Sequence, residues 1–382
     1  MKILFISMPS IHVVRWIENL SGSGHDLYWF DILDRGEMEV SVPITQITGW
    51  KKRKLPHVKG EYFLRKKLPA LYHTIQPFLE TTVDEQLTKI IHLIQPDLVH
   101  SFEMQNCSYP LLKTMRQYPK LNWLYSCWGS DLFYYQNSKR DLPQIKGVLS
   151  RINYLHTDCE RDYNLASSLG FEGVFSGVIP GGGGFHLDRF ESSIMTHEDR
   201  KIILVKGYEH GIGRGLNSVK ALHELLYDIN EFEVVVFGAH QSVTEYIKEN
   251  NLPFRIYDRN ALLHLEIIAL MGKSVIYIGN SSSDGMPNTL LEAIIMGAFP
   301  IQSNPGGVTA EIIDNSKNGL LINNPDDIQE IRIKISQALK DDELKRKAFE
   351  INQQIATERL DYQIIQQKIV ALYHRIENEL CE

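Results

Sequence analysis

The chain has 382 residues, 43% hydrophobic and 23% charged, which is ordinary for a soluble globular protein and too long for one compact core, so two domains are expected. With 40 basic against 47 acidic residues the formal net charge is −7, which excludes the basic excess of a nucleic-acid binder and leaves any attraction to anions local. Cys107, Cys127, Cys159 and Cys381 stand apart, with no CxxC pair and no histidine at zinc-ligand spacing, which argues against a structural metal or a disulfide framework.

The opening run MKILFISMPSIHVVRW is apolar over far fewer than the roughly 20 residues of a membrane span, and it lacks a small-residue cleavage site. It reads as a buried strand over Ile3 to Ile6 and a helix from His12 to Leu20, and a cytoplasmic location is expected. Asp26 to Ile32 gives the next strand. Lys51 to Pro69, KKRKLPHVKGEYFLRKKLP, is the one strongly basic stretch, interleaved with Leu55, Tyr62, Phe63 and Leu64. Such a segment either attracts anionic lipid headgroups, at about 1 kcal/mol per basic residue, or forms a solvated loop and helix face. On the first reading, Lys51 to Lys67 makes a peripheral contact with the inner face of a membrane.

Pro96 to His100 has the form of a short parallel strand after the helical stretch Glu85 to Ile94, and Leu121 to Cys127 repeats it. Strands alternating with helices predict a doubly wound parallel sheet, because parallel neighbours need crossover connections. In SCWGSDL, Trp128, Gly129, Ser130 and Asp131 follow a strand at its carboxyl end. His12, and His100 with Glu103, occupy similar sheet ends, where each histidine is either cleft-facing or a satisfied structural residue.

The loop Ile179 to Phe190, with Pro180 and the run Gly181 to Gly184, marks a domain boundary. Beyond it Lys201 to Val205, Phe232 to Phe237, Phe254 to Tyr257, Val275 to Ile278 and Phe299 to Gln302 read as five strands of a second α/β domain. The expected domains are 1–190 and 191–357, with an amphipathic helix within 358–382, carrying Ile364, Ile365, Ile369, Leu372 and Tyr373, packed back on the first. Two such domains enclose a cleft between the carboxyl ends of their sheets, where ligands of such folds bind.

In SSSDGMPNTLLEAIIMGAFPIQSN a strand ending at Ile278 runs through a Ser/Gly/Pro loop into a helix starting near Asn288. Gly285, Met286, Pro287 and Asn288 lie at the helix N-terminus, where unpaired N–H groups and the positive dipole end favour a phosphate. Asp284 can accept hydrogen bonds from hydroxyls, and Glu292, one turn in, can reach a vicinal diol such as a ribose. The alternative is a plain capped helix, with Asn288 or Ser283 as the cap and Asp284 favoured by the dipole. Upstream, ILVKGYEHGIGRGLNSVKAL is a strand and a Gly-rich turn carrying Lys206, Gly207 and Arg214. Its two cations either neutralise a diphosphate or are solvated surface charges; HGIGRG lacks the GxGxxG spacing of a dinucleotide fold.

The segment Asp284 to Glu292 closely resembles the Glu-x7-Glu signature of retaining glycosyltransferase family 4, with Asp284 in place of the first Glu and Glu292 matching the second. Gly297, Pro300, Gly307, Glu311 and Gly319 extend the resemblance, with one extra residue between Gly307 and Glu311. Arg214 aligns with the family's Lys; the family's Arg falls near Tyr208, and its role passes to Lys206. Asp131 matches the family's Asp, whereas Trp128 stands where a His is usual and the first loop, MPSIH, lacks the usual Gly-Gly pair.

The resemblance implies a GT-B fold, α/β with two Rossmann-like doubly wound domains facing across a cleft, the first binding acceptor and the second donor. It implies transfer of a sugar from a nucleoside diphosphate sugar to a hydroxyl on a saccharide or lipid-linked acceptor, with retained configuration, in polysaccharide, lipopolysaccharide or glycolipid synthesis. Catalytic roles fall to Arg214, Lys206, Asp284 and Asp131, and nucleotide binding to Glu292, Gly285, Met286, Pro287, Asn288 and Gly207. No metal motif is visible and no cofactor beyond the donor is expected, so fixed cations and helix N-termini meet the leaving charge. The rival readings are a nucleotide-sugar epimerase or hydrolase of the same fold and a noncatalytic nucleotide-sugar-binding protein.

Overall fold

The computed structural model describes residues 1–381. The chain packs as two α/β units: residues 1–157, 163–183 and those from Lys368 onward make the first, and Asp158–Asp162 with Gly184–Gln367 the second.

In the first unit β1 (Lys2–Ser7), β2 (Asp26–Asp31), β3 (Thr45–Ile47), β4 (Leu98–Phe102), β5 (Asn122–Ser126), β6 (Tyr154–Thr157) and β7 (Val174–Val178) form one parallel sheet, in the order β3-β2-β1-β4-β5-β6-β7. Ile3, Leu4, Phe5 and Ile6 are fully buried, as a strand covered on both faces requires. β4 starts two residues later than the sequence suggests: Pro96 has no N–H to give a ladder, and the helix Val83–Ile94 ends on Gln95 in a left-handed conformation. Buried Trp16, Trp29 and Trp123 each place the indole N–H on a hydroxyl, of Tyr373, Ser7 and Ser101 respectively.

Two buried histidines bind three of these strands to the C-terminal helix Tyr362–Cys381. The Ile179 carbonyl can only accept, so His156 Nε2 (2.9 Å away) carries the proton and Nδ1 accepts from Ser126 Oγ at 2.8 Å. Ser126 in turn accepts from His100 Nε2 at 2.7 Å, and His100 Nδ1 accepts from Tyr373 Oη at 2.6 Å. Tyr373 accepts from Trp16, which closes a chain with a single donor direction and leaves both rings neutral. Burial pushes His156 down to about 4 and His100 well below its ordinary value.

In the second unit β8 (Ile202–Lys206), β9 (Glu233–Ala239), β10 (Arg255–Asp258), β11 (Ser274–Gly279), β12 (Phe299–Ser303) and β13 (Leu320–Ile322) form a parallel sheet in the order β10-β9-β8-β11-β12-β13. The edge strand β13 is a sixth beyond the five expected. The helix Asn288–Ile295 buries Leu290, Leu291, Glu292, Ala293, Ile294 and Ile295, an apolar face with one carboxylate in it.

Cys107, Cys127 and Cys159 are buried thiols outside any disulfide, and the side chain of Cys381 lies outside the described residues. Among the described residues no helix is long and apolar enough to cross a membrane.

Candidate functional site

In the second unit the chain winds from β8 outward through β9 and β10, then returns to the other side of β8 as β11, β12 and β13. The carboxyl ends of β8 and β11 flank this switch point, where open α/β sheets hold ligands. The two loops there are laced together: Ser282 N donates to Ile212 O at 2.7 Å, Arg214 N donates to Asn280 O at 3.0 Å, and Gly213 pairs with Ser281. Between them lies a small cavity of about 40 Å³ lined by Lys206, Tyr208, His210, Ser281, Ser283 and Asp284, among others.

Lys206 is the last residue of β8, and its Nζ sits 4.8 Å from the centroid of the Tyr208 ring. Tyr208 stacks on His240 with ring centroids 5.6 Å apart, and the Arg259 guanidinium lies 5.6 Å from the Tyr208 centroid, so an aromatic plate carries two cations. Gly238 makes room for that plate: at φ +61° it has no Cβ, and one built there would stand 2.4 Å from the tyrosine ring. Gly207 serves the same packing, since a Cβ would meet Ala239 Cα at 2.8 Å.

Asp284 follows β11 in the loop that leads to the helix Asn288–Ile295, and it is partly buried. Burial raises its carboxyl above the ordinary range, while Lys206, the Gly285 N–H, Arg161 and His210 pull it back. The loop backbone is held from outside the motif. Arg161 donates to the Asp284 carbonyl at 2.8 Å and the Pro305 carbonyl at 2.7 Å, and Asp158 accepts from Met286 N at 3.1 Å. Glu311 receives the backbone N–H groups of Glu160 and Arg161 at 2.8 and 3.0 Å, which fixes the segment that carries both. The Met286 amide, read from sequence as a ligand donor, is thus given to Asp158. Burial, then the neighbouring charge of Asp162, pushes Asp158 well above a normal carboxylate.

Glu292 is 4% exposed, and its Oε1 meets His264 Nε2 at 2.7 Å. Among the described residues Oε2 has no hydrogen-bond donor. Pro287, in extended conformation, is the N-cap of this helix, in place of the Asn288 or Ser283 cap considered from sequence. Arg214 precedes the helix Gly215–His223; its Nε pairs with Asp326 at 2.6 Å and its Nη1 donates to the carbonyls of Gly211 and Gly213. Its Nη2 alone is unengaged among the described residues, and Arg214 is absent from the lining of the small cavity.

The first unit has its own polar cluster at the carboxyl ends of β4 and β5. Asp131 is buried and accepts from Met104 N (3.0 Å), Trp128 N (3.0 Å), Tyr125 Oη (2.7 Å) and Cys127 Sγ (3.3 Å). It therefore shapes the loop Trp128 to Ser130. Burial raises its carboxyl, partly offset by those donors. Glu103, with a left-handed backbone at φ +68°, caps the turn Met104–Ser108 through Gln105 N and Asn106 N. Burial, then the charge of Asp131, pushes Glu103 up to about 7. The Trp128 ring meets His12 edge-on at 6.2 Å, and His100 is enclosed in the buried chain described above.

Lys206 and Asp284 therefore share one cavity, whereas Gly285, Pro287, Asn288 and Glu292 are absent from its lining and belong to the loop and the helix Asn288–Ile295 that follow Asp284. Asp131 lies in the other unit. His264, Arg161, Asp158, Tyr208 as a supporting plate, and Asp326 were not found as functional residues from sequence. No motif links them to the loop; only the mismatch of Tyr208 with the usual Arg was a signal.

Residues 197–354 match the family described as Glycosyl transferases group 1. No curated protein matches the chain. Solved structures share its fold over nearly the whole length. Sucrose-phosphate synthase from Thermosynechococcus elongatus is similar with a TM-score of 0.72 at 15% identity, covering 99% of this chain and 100% of that one. HepE from Anabaena, solved in complex with UDP and glucose, has a TM-score of 0.68 at 15% identity, covering 98% and 100%. A UDP-forming α,α-trehalose-phosphate synthase from Burkholderia xenovorans has a TM-score of 0.66 at 14% identity, covering 97% and 98%. The fold is GT-B, with two Rossmann-like parallel-sheet domains.

Proposed function

We propose that the protein moves a sugar from a nucleoside diphosphate sugar to a hydroxyl acceptor with retention of anomeric configuration. The observation that carries the reading is that Lys206 and Asp284 line one cavity at a sheet switch point and the buried Glu292 follows on the adjoining helix, all inside the segment that matches glycosyl transferases group 1. HepE structures holding UDP and UDP-glucose support a donor of the same chemical class.

In this reading Glu292 Oε2 accepts from a ribose hydroxyl while His264 holds Oε1. The N-terminus of the helix Asn288–Ile295 and Lys206 face the diphosphate, and Arg214 adds its unengaged Nη2. Asp284, one methylene shorter than the usual Glu, accepts from sugar hydroxyls. As the bond from the anomeric carbon to the β-phosphate oxygen breaks, Lys206 and Arg214 stabilise the charge that develops on that oxygen. The acceptor oxygen bonds to the same face of the anomeric carbon, and its proton passes to the departing phosphate. The first unit, with the loop ordered by Asp131, supplies the acceptor contacts.

The test is proton NMR of the product from an α-linked donor. A small anomeric coupling constant, diagnostic of an α-linkage in gluco- and galacto-configured sugars, supports the reading. A β-linked product contradicts retention, and donor turnover that ignores every acceptor points instead to a hydrolase or epimerase.

A further inference from the structure

Residues 51–79 of the first unit carry an element whose polarity is inverted. The helix Glu61–Lys67 buries one residue, the carboxylate Glu61, and leaves Tyr62 and Phe63 at 75% and 59% exposure. The packed helix Pro69–Leu79 exposes Leu71 and Phe78, and the loop before the pair exposes Leu55 and Val58. A water-facing helix normally hides its aromatics and shows its carboxylates, so this face is built for a medium other than water.

The inversion is held from beneath. Arg53 grips Glu61 with two nitrogens, at 2.5 and 2.8 Å, and this holds the carboxyl down at about 2. Lys54 is taken by Glu85 at 2.6 Å. Lys51 Nζ donates to the Leu33 carbonyl at 2.9 Å, so three cations of the basic run serve the scaffold. Those left on the surface are Lys52, Lys59, Arg65, Lys66 and Lys67, all exposed. On the helix, Lys66 and Lys67 lie one turn after Tyr62 and Phe63, with Lys66 Nζ 5.9 Å from the Tyr62 ring centroid. Aromatic side chains flanked by cations match the boundary of an anionic bilayer, where rings enter the acyl edge and ammonium groups meet phosphates.

We propose that this face docks on an anionic lipid surface by inserting Tyr62, Phe63, Leu71 and Phe78, with Lys66 and Lys67 on the headgroups. Electrostatic attraction of the basic run alone is insufficient to describe it: the apolar side chains carry residual binding in salt. The surface is outside the candidate site and its test reads no turnover, so its outcome is separate from that of the proposed glycosyl transfer.

The experiment is flotation of the whole protein with phosphatidylcholine vesicles, with and without phosphatidylglycerol, at low and high salt. The parent should float with anionic vesicles and keep a fraction of its binding in high salt. Tyr62→Ser/Phe63→Ser and, separately, Leu71→Ser/Phe78→Ser should lower partition at least tenfold at an unchanged unfolding midpoint. Lys66→Glu/Lys67→Glu should lower it by about fivefold or more per charge and only on anionic vesicles. The proposal is overturned if the parent stays in the aqueous fraction, if it floats equally with neutral vesicles, or if folded serine variants float like the parent. A concentration-dependent dimer that the serine variants dissolve, with no flotation, also overturns it by making the face a self-association surface.

Discussion

His264 Nε2 lies 2.7 Å from Glu292 Oε1, a contact that reaches across 28 residues and leaves the other carboxylate oxygen without a donor among the described residues. Glu292 projects from the helix Asn288–Ile295 and is buried, so its orientation depends on that one partner. If Oε2 is the ribose acceptor, Glu292→Ala weakens binding of a nucleoside diphosphate by about 10- to 100-fold, as for a hydrogen bond to a charged group. His264→Ala, which leaves the carboxylate in place but loosens it, weakens binding by about 2- to 10-fold. Calorimetric titration of both variants checks the order.

Lys206 lines the small cavity, and Tyr208 is the surface its ammonium rests on. Lys206→Ala is expected to lower kcat by about 100- to 1,000-fold, the scale of losing one group that stabilises transition-state charge. Tyr208→Ala leaves the ammonium but removes its plate, and is expected to cost about 2- to 5-fold. Because protein cations are proposed to meet the leaving charge, turnover should persist in excess chelator; steady-state rates with and without it check this.

Arg161 forks onto the carbonyls of Asp284 and Pro305, and its partner Asp162 is fully buried, so its removal strands a carboxylate. Arg161→Lys keeps the charge but loses the planar fork. The expected result is a donor KM raised by about 5- to 30-fold with a smaller change in kcat, from one lost hydrogen bond to a charged group. Equal loss in both constants would place Arg161 in the chemistry instead of the loop.

Glu103 and His156 give opposite pH slopes to stability. Glu103 is raised from its ordinary value of 4.5 to about 7, so its contribution is intact below 4.5 and lost as pH rises through 7. His156 is lowered from 6.5 to about 4, so its contribution is intact above 6.5 and lost as pH falls through 4. Glu103→Gln removes the first slope alone. The variant should gain on the parent between pH 4.5 and 7 by up to about 3 kcal/mol, at about 1.4 kcal/mol per pH unit. Urea unfolding of both proteins across that range measures the difference.

The central strands of both sheets are legible because doubly buried parallel strands are continuous apolar runs, as in Ile3 to Ile6 and Ile202 to Val205. β3, β7 and β13 are not: they are sheet edges, short or half-exposed, and leave no such run. β6 escaped for another reason, since YLHT hides a histidine that burial keeps neutral. At the site, Asp284 and Glu292 could be read because strand, loop and helix are contiguous in the chain. Arg161 reaches Asp284 across 123 residues, Asp158 reaches Met286 across 128 and Arg214 reaches Asp326 across 112, and no local spacing encodes such partners. The extra strand and the Pro287 cap changed details of the second unit without moving the loop.

Donor binding at the switch point around Lys206 and Asp284, with Glu292 on the adjoining helix, is measured by titrating the parent, Lys206→Ala and Glu292→Ala with a panel of nucleoside diphosphate sugars. At least one donor is expected to bind the parent and to bind both folded variants at least about tenfold more weakly, the equivalent of about 1.4 kcal/mol. Equal affinity in all three proteins, or no affinity of the parent for any member of the panel, would contradict it.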